Sequence, residues 1–530
     1  MVRQRFRLFG ILAVMSLAAA GCLPRGEPPA GHQILSDPNA SLMAVLSPGA
    51  GATKQVLFFR PSQRQDPDLV DLWALTLDAN DQPSPERLLF SGISSGLELS
   101  YRPSAGNSGF PIDARGRMYI FTSLGDDLFR VDVTTGDKQD VGPGDSFPIL
   151  SPSGQRVAIR GMPGAYTLYE SDDQTMIIAG IQAQFVGETL FYVSPDCNLM
   201  RVVARGVPEQ VAAGIGNFSV ARGTLLFIQH TAASTCADTG FLGPSDGAQA
   251  FLDSTTLQET PLPADVQFNP GNFSSDGHWM TAYRFDQKTF QSQQLIVDVT
   301  TGATETLDPS LGYGMWRPGH DELWLAADDL TKPGLSGASL SIKVPGQPAV
   351  TVPGVYPSGF NEDGRYWFSR GTPTDQLISS DLVGMADDPT GPRHHVVPEG
   401  SSLGFAETLG DGRLVVESYT SVEDFRNDDY LIVDPRDGAM TTLALRGYLS
   451  ALGNDRLLGI FHYVFERGDL TAVDFATGHQ TILASEVAMS AIVATNGTGG
   501  DFFPPNAGVV YQYRARYDSP WSGLWWTIVP

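Results

Sequence analysis

Basic residues are scarce in this chain: 34 Lys and Arg stand against 59 Asp and Glu, for a net charge of −25. That balance argues against nucleic acid and anionic membrane surfaces, since both require clustered cations. Long runs of helical periodicity are missing after the first 22 residues, while Gly (57) and Pro (37) are plentiful. Many short strands joined by turns are therefore expected, in an all-β protein. No His-Glu-x-x-His occurs among the eight His residues, and the acidic pairs lack the alternating ligand spacing of a calcium loop. No metal and no cofactor are expected.

What is present is a repeat. The stretch from Gly271 to Leu307, GNFSSDGHWMTAYRFDQKTFQSQQLIVDVTTGATETL, reads as four short strands. Val297 and Val299 alternate with Asp298, the period of a half-buried strand, and Asp276-Gly277 and Thr301-Gly302 mark tight hairpins. Variants recur every roughly 35–55 residues. VDVTTG returns at Asp132, SPSG at Ser151–Gly154, NEDG at Asn361–Gly364 and VDFATG at Asp474. About ten or eleven such repeats are expected between residues 41 and 530.

These hairpin turns, each followed by an aromatic or aliphatic strand, and the VDxxTG strands at Asp132, Asp298 and Asp474 resemble TolB-like, WD-type β-propeller repeats. The resemblance covers most of the chain and implies a β-propeller of four-stranded antiparallel blades, as one large ring or two. It specifies fold rather than function, because such propellers host many activities. LTAVDFATGHQ is also similar to quinoprotein-like propeller repeats, but the Trp that ends them is absent after Thr477-Gly478-His479. The last repeat stops without a fourth strand, and HQILSD near His32 is expected to supply it and close a ring.

Residues 1–21 have the anatomy of a secretory signal, with Arg3, Arg5 and Arg7 ahead of a short apolar core. Ala19-Ala20-Gly21-Cys22 resembles a lipobox, which implies a lipidated Cys22 followed by a flexible Pro/Gly-rich tether to residue 40. Leu23 after the Cys implies, by the same resemblance, the outer membrane of a bacterial envelope. Only Cys197 and Cys236 then remain for an oxidising compartment. Each is expected in the loop after the second strand of its repeat, in consecutive repeats, which makes them a candidate disulfide.

Three segments match Gly-x-Ser-x-Gly, at Gly92–Gly96, Gly243–Gly247 and Gly400–Gly404, yet none runs into a helical pattern as a nucleophile elbow would. No catalytic residue is assigned. His394-His395 is expected in a solvated loop. The pairs Asp126-Asp127, Asp172-Asp173, Asp328-Asp329 and Asp428-Asp429 are read as turn formers and solubilising charge. Trp279, Trp316, Trp324, Tyr366, Trp367, Trp525 and Trp526 are read as packing between blades rather than as stacking platforms. Binding determinants are expected in the long loops Thr231–Ala248, Asp328–Ala338 and Asp387–Gly400. The function expected is that of a non-enzymatic, scaffold-like envelope lipoprotein that binds a protein or peptidoglycan-associated partner. The alternative is a hydrolase or lyase acting on a glycan or peptide in a central channel, for which two acidic side chains at glycosidase separations would be the mark.

Overall fold

The structure is a computed structural model. It describes residues 33–528 apart from short connections and the longer stretches 95–111, 237–246, 329–337, 370–381, 420–427, 495–507 and 514–522. Cys22 and the segment 1–21 read as a signal lie outside the described residues. All described regular structure is β-strand. The fold class is a β-propeller of four-stranded antiparallel blades, and two compact units divide the chain, residues 1–109 with 443–530 and residues 110–442.

In the second unit each blade is a meander in which sequence neighbours pair. Residues 149–179, 182–213, 215–261, 266–306, 311–353 and 357–395 each form one four-stranded sheet. The unit opens with Arg117–Phe121, Asp127–Asp132 and Lys138–Pro143, and an isolated bridge from Ile112 to Met118. The hairpin chemistry explains the regularity. At the third-to-fourth turn, Asp132, Asp253 and Asp298 each accept, on one carboxylate oxygen, the backbone N–H groups two and three residues on. Gly302 then takes φ +72°, where a Cβ would come 2.3 Å from the Pro261 carbonyl oxygen of the preceding blade.

Blades pack face to face through apolar side chains. Trp324 and Trp367 are fully buried, with ring centroids 5.6 Å apart, and Phe360 meets Trp324 edge-on at 4.9 Å. Gly384 is required beneath Trp367, since a Cβ there would lie 2.6 Å from its indole nitrogen. Trp316 and Tyr366 are buried in the same way, so these aromatics are core.

In the first unit, Ser41–Leu46, Lys54–Pro61, Leu69–Leu77 and Arg87–Ser94 form one blade. Gly523–Ile528 pairs with Gly508–Tyr513 on one side and with Gln33–Ser36 on the other, in the register Gln33 to Trp526 and Ile34 to Trp525. The missing last strand is thus supplied from the beginning of the chain, and it lies within the segment read as tether. Leu35, Val510 and Leu524 pack with Leu42, Val56 and Phe58 of the first blade. Trp525 is buried beside Tyr511; the side chain of Trp526 lies outside the described residues.

Candidate functional site

The antiparallel meander gives each blade of the second unit two unlike ends. First-to-second and third-to-fourth strand turns fall at one end, second-to-third connections at the other. At the first end the turns are short, apart from the eleven residues 268–278 between Val266–Gln267 and Trp279–Asp286. The third-to-fourth connections run from five residues (254–258) to seven (386–392). At the other end the second-to-third connections range from four residues (194–197) to eighteen (231–248). They include 329–337, 370–381 and 420–427.

The hairpin end is committed to holding blades together. Arg156 (1% exposed) binds Glu170 of its own blade and the carbonyls of Glu188, Val202 and Val203 in the next. Arg222 donates to the carbonyls of Ser274 and Ser275, and Arg317 to that of Gly364 (2.8 Å) and to Asp387. Arg117 joins Asp113 (2.6 Å) to Asp173 of the next blade, which Arg115 (2.6 Å) and Arg130 (3.1 Å) also reach. Burial pushes the Asp173 carboxyl up, but Arg117, Arg130 and Arg115 outweigh it and hold it below the usual range. Burial and then the Asp113 charge push the Tyr119 phenol strongly up. Asp172-Asp173 is therefore an ion-pair centre, not merely solubilising charge.

Two carboxyls meet at this end. Asp276 and Asp321, in the first hairpins of adjacent blades, lie close enough for the charge of one to act on the other, while Gly319 N–H donates to Ser275 Oγ (2.5 Å). Burial and the neighbouring Asp276 charge push Asp321 up; Asp276 is held down, with the Ser274 hydroxyl and His278 N–H outweighing burial. Both residues are exposed. Because the folded chain holds the Asp321 proton more tightly than the unfolded chain, stability falls as pH rises through this titration. Asp321→Asn is expected to raise the melting temperature at pH 7, by no more than about 1 kcal/mol of stability for so exposed a pair. Below the ordinary Asp range the difference vanishes; calorimetry at pH 7 and pH 3 checks both points.

The other end carries the disulfide candidates. Cys197 sits in connection 194–197 and Cys236 in connection 231–248 of the next blade, and their sulfurs are bonded, with Cα atoms 5.2 Å apart. Both side chains are buried. Backbone bonds reinforce the tie: Cys236 N–H donates to Pro195 (2.9 Å), Ile215 N–H to Cys197 (2.7 Å) and Thr231 N–H to Gly214 (2.8 Å). The longest connection of the unit is thus fastened to its neighbour at this end.

Other sequence candidates fall elsewhere. Ser94 ends the strand Arg87–Ser94 and Ser402 begins Ser402–Thr408, so neither sits on a strand-to-helix elbow; residues 243–246 lie outside the described residues. Residues 387–400 are not one loop. Arg393–His395 is the outer strand of its blade, so His394 and His395 are strand residues, His394 half-buried and His395 exposed. Asp428-Asp429 begins a strand instead of forming a turn. Among the described residues, no group of three or more His, Cys, Asp or Glu is placed to hold a metal ion. The arginine clamps are not among the sequence candidates, although an Arg beside the first hairpin, as in SPSGQR and WRPGH, is a visible signal.

No protein-family model matches the chain, and no curated protein matches it in sequence. Similar solved structures include an oligogalacturonate lyase in complex with manganese, 15% identical over 72% of this chain and 88% of that one, with a TM-score of 0.26. The β-propeller domain of the Trilobed protease from Pyrococcus furiosus is 11% identical over 64% of this chain and 97% of that one, with a TM-score of 0.27. A putative TolB from Agrobacterium tumefaciens is 14% identical over 43% and 88%, with a TM-score of 0.22. These likenesses favour no one activity.

Proposed function

We propose that this chain is a lipid-anchored, non-enzymatic propeller of the bacterial envelope, held through Cys22. In this reading the loop end of its second unit binds an envelope protein or peptidoglycan-associated partner. The observation that carries the reading is the asymmetry between the two ends. Short, internally hydrogen-bonded turns occupy one end, 268–278 apart, and most of the variation in connection length is at the other. A rigid base of arginine-clamped blades suits a binding surface built from loops, because it fixes where each loop starts and ends. The reading is tested by affinity capture from solubilised envelopes with the full chain and with a variant whose connection 370–381 is replaced by a four-residue turn. A defined partner that the wild type retains and the variant loses at least tenfold is expected; equal retention by both would refute the loop end as the binding surface.

A further inference from the structure

Where the chain enters the first unit decides which side of that unit meets a membrane. Gly508–Tyr513 and Gly523–Ile528 run antiparallel, with Gly508 opposite Ile528 and Tyr513 opposite Gly523. Val493–Ala494 pairs on the other side of Gly508–Tyr513, Ala494 opposite Val509. The first-to-second connection of this blade thus starts and ends beside Ile528, and the second-to-third connection beside Gly523. Gln33 lies opposite Trp526 and Ser36 opposite Leu524, so the chain before Gln33 arrives at the Ile528 end. It stands where a third-to-fourth turn stands in other blades, at the hairpin end.

The first blade agrees. Its third-to-fourth connection, 78–86, comes to the same place, and Gln33 Nε2 donates to Gln82 Oε1 (3.1 Å). Its second-to-third connection, 62–68, lies at the far end of Leu69–Leu77. The nine residues of that strand set the two ends about 30 Å apart. Polar groups at the hairpin end are engaged with one another. Asp78 accepts the N–H groups of Asn80 (2.8 Å) and Gln82 (2.9 Å), and Lys54 pairs with Asp81 (2.6 Å). None of the exposed large apolar side chains falls in 78–86, so this connection has nothing to insert into lipid.

The tether is short. Cys22 stands eleven residues before Gln33. A chain of that length reaches at most about 40 Å when fully extended, and about 18 Å as a coil. With Cys22 in lipid, the hairpin end meets the surface while the tether stays relaxed. The far end of the first blade meets it only if the tether is drawn along some 30 Å of protein, close to its full reach, with loss of conformational freedom. We infer that the hairpin end of the first unit is its membrane-facing surface, apposed to the lipid headgroups without entering them, and that connection 62–68 points away. The inference rests on the proposed lipidation of Cys22 and adds the orientation that this anchor imposes.

The test uses the full lipidated chain bound to phosphatidylcholine vesicles, whose neutral surface leaves the tether to set the orientation. A fluorophore is attached through Ala79→Cys at the hairpin end or Asp68→Cys at the far end of the same blade, both positions being exposed. Cys197 and Cys236, being bonded, do not take the label. Energy transfer to a headgroup-labelled acceptor lipid is expected to be at least threefold more efficient from position 79 than from position 68. Equal transfer from the two positions, or more from position 68, in protein that floats with the vesicles would overturn the orientation and leave the anchor standing. Wild-type protein that does not float, or Cys22→Ala protein that floats equally well, would overturn the anchor reading and the orientation with it.

Discussion

Arg156→Ala is expected to lower stability by about 3–5 kcal/mol, the range for removing one partner of a buried ion pair. The guanidinium is almost wholly buried, and its Nε lies 3.1 and 3.0 Å from the two Glu170 oxygens. Nη2 donates to Glu170 (2.7 Å) and to the Val203 carbonyl (3.3 Å), and Nη1 to the carbonyls of Val202 (2.9 Å) and Glu188. Alanine would leave a buried carboxylate and three carbonyls without this donor, at a junction between consecutive blades. Arg156→Lys keeps the charge but loses the planar fork, so an intermediate loss is expected. The denaturation midpoints of the three proteins check this order; a loss under about 1 kcal/mol for Arg156→Ala would show that the clamp contributes little.

The second large effect concerns the disulfide. Its cysteines are 39 residues apart in sequence. Loop-closure entropy for a ring of that size gives a stabilisation of about 4 kcal/mol, realised in full only if the unfolded chain lacks residual structure. The paired substitution Cys197→Ser with Cys236→Ser is therefore expected to lower the melting temperature by several degrees. The oxidised wild type should show one linked peptide pair containing both residues on non-reducing peptide mapping. Two free thiols in the folded protein would contradict the pairing.

Much of the fold was legible because propeller repeats write their turns into the sequence. Asp298 and Gly302 announce a hairpin through an Asx bond and a positive φ, both properties of single residues. The fourth strand from Gln33–Ser36 was legible for a different reason: the last repeat was one strand short, and a sheet edge must be satisfied. Side-chain partnerships between blades were not legible. Nothing local to Arg156 or Asp173 says that a residue 30 to 60 positions away supplies its partner, since that depends on how consecutive blades stack. The pair Asp276–Asp321 was hidden likewise, because the two hairpins that carry it are separated by an entire blade's chain. His394-His395 was misread because so short an outer strand shows no periodicity.

The central claim, that partners are bound at the loop end of the second unit, is tested most directly by site-specific photo-crosslinking in native envelopes. A photoreactive residue is placed at Asp196 or Ala232, exposed in second-to-third connections, and at Thr256 or Thr301, exposed in hairpin turns of the opposite end. Discrete adducts of one partner from Asp196 and Ala232, and none from Thr256 and Thr301, are predicted. Adducts formed only from the hairpin positions would contradict the account.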